Sequence, residues 1–209
     1  MRDNAIKPAL LAGTIDAEKA MELVEDYGGK TADEAYWLVK EWQGGETSED
    51  GEFNKYAALR EAVVSGSGID AARNELSDHG VTEEEISKQM RGAIKEAYYA
   101  GAMTTTAAQS ALVKHGLSDN KNAAYWLLKE WDYAEVTGDS TGFSRYDEFL
   151  DAVPSGGTSM TKAANELLDH GVDKSDAAGE ITKAYKAEYL ALKESNPAAA
   201  ERMLVWLLD

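Results

Sequence analysis

The sequence of 209 residues contains no cysteine, only three prolines and only three histidines. Without cysteine, a disulfide framework, a thiolate zinc site and a thiol nucleophile are all excluded. The scarcity of proline in a chain rich in alanine, leucine, glutamate and lysine favours helix. No stretch approaches the roughly 18 apolar residues of a membrane span, and the first residues lack the apolar core of a signal peptide. We therefore expect a soluble, cytoplasmic helical protein.

Several signatures of enzymes and metal sites are also missing. The chain has no GxxxxGK[ST] phosphate loop, no GxSxG elbow and no HxxxH or HExxH pair. Two acidic, glycine-containing loops, residues 44–56 and 136–148, fail the calcium-loop pattern. With Gly142 at the sixth position, threonines occupy acidic positions, and with Gly51 there, Ala57 occupies the twelfth. We expect no catalytic residues, no metal site and no cofactor, and predict that the protein is not an enzyme.

The charge is strongly one-sided, because 38 acidic residues oppose 21 basic ones and the net charge is −17. Such a surface repels phosphate, so direct binding to DNA, RNA or an anionic membrane is not expected. It favours a protein partner with a basic surface, including the nucleic-acid groove of another protein. A small-molecule ligand is not expected. The alternative interpretation is that the charge provides only solubility.

An internal repeat is the clearest positive feature of the sequence. AYWLVKEW at residues 35–42 returns as AYWLLKEW at residues 124–131, about 90 positions later. Other collinear matches join residues 5–28 to 93–116 and residues 72–81 to 163–172. Residues 181–209 resemble the beginning of a further copy. We predict copy one at residues 1–92, copy two at residues 93–180, and a partial third copy at 181–209 that acts as a helical cap.

The apolar spacing predicts about five short helices in each copy and an all-α fold, with no convincing strand alternation. One helix is expected to begin at Thr31, with Glu34 completing a capping box. An earlier helix is expected to begin at Thr14 or Asp16. A further apolar stripe predicts a helix that ends at Gly66 and contains Phe53, Tyr56, Leu59 and Val63.

The aromatic and histidine residues have structural interpretations that we prefer to functional ones. The octapeptide tryptophans are predicted to be core anchors rather than ligand-stacking rings: Trp37, Trp42, Trp126 and Trp131. Each histidine precedes a glycine, which predicts a helix end with a left-handed glycine cap: His79, His115 and His170. There the imidazole is expected to interact with the helix dipole and free carbonyl groups rather than with a metal or substrate.

The ordered motifs AYW…EW, Y…F…AV and DHGV resemble a repeat of phage and prophage proteins of gut Firmicutes. The resemblance covers residues 35–99 and 124–189. It implies a phage-encoded protein, either a component of the virion or an accessory protein in the infected cell. It supplies no catalytic residues to carry over.

Three functional hypotheses remain open. The first is a non-enzymatic protein-interaction protein in the host cytoplasm, in its sharper form an anti-CRISPR or other anti-defence inhibitor that mimics DNA. Acidic residues at 46–52 and 135–139 are then candidate contacts. The second is a virion-associated structural or packaged protein. The third is an enzyme with an acid-lined cleft between the two copies.

Overall fold

The computed structural model describes residues 3–44, 52–139, 141–152 and 157–206. Within these ranges the fold is all-α, as predicted, with twelve helices and no strand. In chain order the helices are α1 (Asp3–Leu11), α2 (Ala17–Gly28), α3 (Ala32–Trp42), α4 (Ala57–Ser65), α5 (Ile69–Asp78), α6 (Glu83–Tyr99), α7 (Thr105–Lys114), α8 (Lys121–Thr137), α9 (Asp147–Ala152), α10 (Gly157–Asp169), α11 (Lys174–Ser195) and α12 (Pro197–Trp206).

The chain divides into two compact units, unit one (Met1–Ala111) and unit two (Leu112–Asp209). The boundaries predicted from the sequence, 92/93 and 180/181, mark copies of a pattern. The first lies within α6 and the second within α11. The predicted boundaries therefore cut helices and do not coincide with the division between the two units.

Unit one contains two groups of packed helices. Helices α1, α2 and α3 contact one another around an apolar cluster that includes Leu10, Val24, Val39 and Trp42. Helix α4 packs against α5 and α6. Helix α6 is long and amphipathic, and its apolar stripe is buried: Ile86, Met90 and Ile94. Each fully buried aliphatic side chain stabilises the fold by about 1.5–3 kcal/mol.

Unit two is organised around α9, α10 and α11, which contact one another, while α12 packs on α11. Helix α8 adds Trp126 to their apolar cluster, whose larger members are Phe149, Leu167 and Tyr185. Phe149 is only 1% exposed, although α9 is the shortest helix. A short helix with few backbone hydrogen bonds is stabilised mainly by the apolar residue that it buries.

Side-chain caps fix where most of these helices begin. Thr31 forms the predicted capping box with Glu34, and both reciprocal hydrogen bonds are present. Asp16, rather than Thr14, caps α2, because its carboxylate accepts the backbone N–H of Lys19 at 2.8 Å. Such a cap stabilises a helix by about 1 kcal/mol. Asn120 caps α8 in the same way.

The DHGV motif proves to be a Schellman ending. In unit one, Gly80 is left-handed with φ of 77°, and the N–H of Val81 donates to the carbonyl of Leu76 at 2.9 Å. In unit two, Gly171 also has φ of 77°, and Val172 donates to Leu167 at 2.9 Å. The valine side chain is buried each time. The predicted glycine caps are thus confirmed, and the motif turns the chain while satisfying helix-end carbonyls.

The helix predicted from Phe53 begins later than expected. Helix α4 starts at Ala57, so Phe53 and Tyr56 precede it. The cause is a local turn at Asn54. Its side-chain oxygen accepts the N–H of Tyr56 at 3.0 Å, and its backbone carbonyl accepts the N–H of Ala57 at 2.9 Å. Asparagine forms such bonds in competition with helix. The predicted end at Gly66 is confirmed by its φ of 74°.

We predict opposite effects of alanine at two glycines of unit two. Gly171→Ala places a Cβ at positive φ and 2.5 Å from the Asn122 amide nitrogen, so we expect a loss of about 1–2 kcal/mol. Gly179→Ala, in the helical interior of α11 with open space around it, should stabilise by about 0.5–1 kcal/mol. Urea unfolding measures both, and equal effects of the two changes would contradict the prediction.

Candidate functional site

A cluster of five side chains in unit one joins α3 to the end of α5. Helix α3 supplies Tyr36, Trp37 and Lys40, and α5 supplies Glu75 with His79 at its C-cap. Tyr36 and Lys40 are one helical turn apart, as are Glu75 and His79, so each pair lies on one face of its helix. The cluster therefore arises from two i, i+4 pairs that face each other.

The phenol, carboxylate, ammonium and indole N–H of this cluster each have a bonding partner, and the imidazole has a ring partner. The imidazole of His79 stacks on the Tyr36 ring, with 3.3 Å between centroids and 8° between planes. The Tyr36 hydroxyl donates to Glu75, whose carboxylate also binds the Lys40 ammonium at 2.7 Å. The indole N–H of Trp37 donates to the His79 carbonyl at 3.0 Å. These contacts tie two helices together through charge, stacking and a helix-end carbonyl.

Unit two contains the same cluster with closely similar geometry. His170 stacks on Tyr125 at 3.4 Å and 5°, and the Trp126 indole donates to the His170 carbonyl at 3.0 Å. The Tyr125 hydroxyl donates to Glu166, which binds Lys129 at 3.1 Å. The ring-centroid and indole–carbonyl distances repeat within about 0.1 Å, and the Lys129–Glu166 pair is slightly longer than its counterpart. Lys129 also pairs with Glu148 of α9.

The electrostatics of the two clusters agree. Burial alone would raise the pKa of Glu166, but hydrogen bonds from Tyr125 and Lys129 outweigh it and lower the pKa. The pKa of Glu75 is lowered in the same way, by Lys40 and Tyr36 against burial. Burial, followed by the bond to Glu166, raises the pKa of Tyr125 to about 12. Near neutral pH the cluster therefore holds a carboxylate, an ammonium and a neutral phenol.

Beside its cluster, unit two has a cleft of about 680 Å³ between α8, the segment before α9, α9 and α10. Its apolar lining is Trp126, Tyr133, Val136, Phe143, Phe149 and Leu167. Its charged lining is Asp132, Asp147, Glu148, Asp151 and Glu166, with Lys129 and Arg145 as the cations. Five carboxylates against two cations give the lining a formal charge of −3. Clefts that hold drug-sized ligands measure about 300–1,000 Å³.

The segment that closes this cleft is held by short-range bonds. Asp139 accepts the backbone N–H and the hydroxyl of Thr141, both at 2.7 Å, and these bonds lower its pKa. Gly142 passes so close to the Tyr133 hydroxyl that a Cβ would meet it at 2.8 Å. Ser144 donates its N–H to Asp147 at 3.0 Å, which starts α9. Parts of the acidic segment predicted as a loop at 136–148 thus line the cleft: residues 136–137 at the end of α8, 142–145, and 147–148 at the start of α9.

Most of the tryptophans and histidines singled out in the sequence lie in the core or at helix ends. Trp42, Trp126 and Trp131 are buried, which confirms them as core residues, whereas Trp37 is half-buried. The three histidines lie at helix ends as predicted, but the sequence did not reveal that His79 and His170 stack on tyrosines. Two spacings recur in both copies: Tyr directly before Trp, and His four residues after Glu. This recurrence was the sequence signal from which the contact could have been found.

The acidic segments suggested as contacts have different outcomes. Residues 45–51 lie outside the described part of the chain, so most of the suggested segment at 46–52 has no structural account. Glu135 and Asp139 are exposed, and neither lines the cleft. Within the described ranges, no group of three His, Asp or Glu side chains could hold a metal ion. Nor is any helix there long and apolar enough to cross a membrane.

No protein-family model, curated protein or solved structure matches this chain.

We predict that Tyr125→Phe and Tyr36→Phe destabilise their units to a similar degree. Each change removes a hydroxyl that donates to a charged carboxylate, a bond of about 1.5–3 kcal/mol. Urea unfolding followed by circular dichroism gives the loss. Tyr27→Phe is a matched control on an exposed ring. A loss no greater than that of the control would contradict the role of the bond.

The lowered pKa values predict loss of stability in acid. The ordinary value for Glu75 and Glu166 is 4.5, and the folded value of each is lower. Their stabilising effect is therefore complete above about pH 4.5 and disappears as pH falls through the folded values. Tyr125 acts oppositely, because its raised pKa predicts a loss between pH 10 and about 12. Unfolding of the Glu75→Gln, Glu166→Gln double variant should depend less on pH below 4.5, and an unchanged acid limb would contradict this.

Proposed function

We propose that this chain is a non-enzymatic protein-binding protein whose acidic surface engages a basic partner. The observation that carries the proposal is the excess of 17 negative charges on a helical body. Many described basic side chains are already in ion pairs with the chain's own carboxylates, including Lys40, Arg60, Arg73 and Lys129. Each such pair cancels one cation against one carboxylate, so the field at a distance from the molecule follows the net excess of carboxylates.

The absence of an enzymatic role is supported by how the two clusters use their polar groups. In each, the carboxylate, phenol, ammonium and indole N–H bond to one another or to a helix-end carbonyl. A catalytic acid, base or nucleophile has to reach a reacting atom of the substrate. Groups committed to joining two helices in the same way twice act as connectors, so we infer a structural role for both clusters.

We infer further that both units follow one repeated plan, with residues 181–209 as a partial third copy that begins inside α11. The matched contacts of His79 with Tyr36 and of His170 with Tyr125 support this inference, together with the collinear sequence copies. Repeated helical units present helix faces to solvent, which suits a protein partner. The resemblance to phage repeats favours a phage protein that acts in the host cytoplasm.

In its sharper form, the proposal is that the chain occupies the basic nucleic-acid groove of a host defence protein. Carboxylates then take the place of phosphates, and binding depends on charge attraction across the groove. Such an inhibitor competes with nucleic acid without binding nucleic acid itself.

This proposal predicts capture of a nucleic-acid-binding protein that both salt and DNA displace. The tagged full-length chain is the bait for bacterial host lysate, with and without phage infection, and elution follows NaCl from about 0.05 to 0.5 M. We expect the partner to elute as salt rises and duplex DNA to release it at low salt. A partner that resists both treatments would refute charge mimicry. Recovery of the chain in purified particles at fixed copy number would favour the virion alternative instead.

A further inference from the structure

The charge of the unit-two cleft is a point at which the two sequence copies differ. Two cluster residues on its wall, Lys129 and Glu166, have identical counterparts in copy one. Three of the other carboxylates have neutral counterparts: Gln43 for Asp132, Ala57 for Asp147 and Ala58 for Glu148. The two copies thus keep the residues that join their helices and differ in the charge placed beside them. Packing does not require this difference in charge beside the retained cluster residues, whereas a binding surface in one unit does.

The shape of the cleft and its apolar lining also favour a ligand. The side chain of Val136 is 86% exposed, although it lies at the edge of a cleft that has Phe143 and Trp126 in its walls. Its volume of about 680 Å³ falls within the range of clefts that enclose a ligand. An exposed aliphatic group beside aromatic walls gains stability when another apolar surface covers it.

The carboxylates and aromatic rings of the cleft together favour the binding of a guanidinium group. Arg145 already places its guanidinium carbon 5.8 Å from the centroid of the Trp126 ring, so the cleft accommodates this group against an aromatic face. A guanidinium stacks on aromatic rings and forms paired hydrogen bonds with carboxylates, and it loses hydration at lower cost than an ammonium. The carboxylates of Asp132 and Asp151 lie in the same lining.

We propose that the cleft between α8, α9 and α10 binds an arginine-containing segment of the protein partner. The inference rests on the proposed function and gives it a location, because it places the contact with the partner's basic surface in unit two. The aliphatic part of the arginine covers Val136, and its guanidinium lies among the carboxylates of the cleft. Copy one lacks three of these carboxylates and is not expected to bind the segment in the same way.

A defined peptide tests this proposal with the full-length protein. The probe is a fluorescein-labelled decapeptide that alternates arginine with serine, and its control replaces each arginine with citrulline, which has the same shape without the charge. Anisotropy gives Kd at low salt. We expect the arginine peptide to bind on the order of tenfold or more tightly than the citrulline peptide. Equal affinity would overturn the role of the guanidinium.

Substitutions taken from copy one locate the site. Asp132→Gln with Glu148→Ala removes two charges from the cleft but retains Asp147, which starts α9, and Glu166, which still binds Lys129. We expect Kd to rise on the order of tenfold. The matched control, Glu25→Gln with Asp26→Asn, removes two exposed charges from α2 and should change Kd less than about twofold. Equal losses of affinity in both variants would show that binding depends on the overall negative charge and would overturn the cleft proposal.

The indole N–H signals of Trp126 and Trp37 report directly where the peptide binds. In ¹H–¹⁵N spectra, the arginine peptide should shift the indole signal of Trp126 and leave that of Trp37 unchanged. Persistence of both signals in the cleft variant shows that its clusters remain folded. If the peptide shifts neither signal, the cleft proposal fails. The proposed function fails separately, if the salt-graded capture yields no basic partner.

Discussion

Each unit depends on one contact between two helices, in which an imidazole lies flat on a phenol ring while the same residue's carbonyl accepts an indole N–H. In unit one these are His79, Tyr36 and Trp37. The contact requires the carbonyl at the end of α5 to face α3, and the left-handed Gly80 provides this by turning the chain just beyond it. A backbone requirement of one residue thus places a helix-end carbonyl where a side chain of α3 can bond to it.

The sequence allowed prediction of what depends on short range. Helix class, the Thr31 cap and the glycine ends follow from residues within one or two turns, where local hydrogen bonds decide the conformation. The start of α4 was missed because the Asn54 turn competes locally with an apolar pattern that reads equally well as helix. The stacking of His79 could not be predicted, since it joins residues 43 positions apart through tertiary packing. The cleft depends likewise on where α8, α9 and α10 meet.

Charge and packing are separated in this molecule. Within the described residues, the buried side chains are apolar, and the carboxylates lie at the surface or in partly exposed clusters. Acidic positions can therefore change with little effect on the core, because surface substitutions away from caps and clusters cost little. The difference between Asp132 and Gln43 in matching positions is an example. A framework of this kind can acquire a new surface without altering its fold.

The two boundaries predicted from the sequence, 92/93 and 180/181, fall inside helices α6 and α11. Helix α6 packs on α4 and α5, and α11 packs on α9 and α10, so residues on both sides of each boundary belong to one packed helix. A fragment of the chain that ended at either boundary would cut that helix and leave its last four carbonyl groups without helical partners. Fragments intended to keep these helices intact should therefore end in the turns between helices.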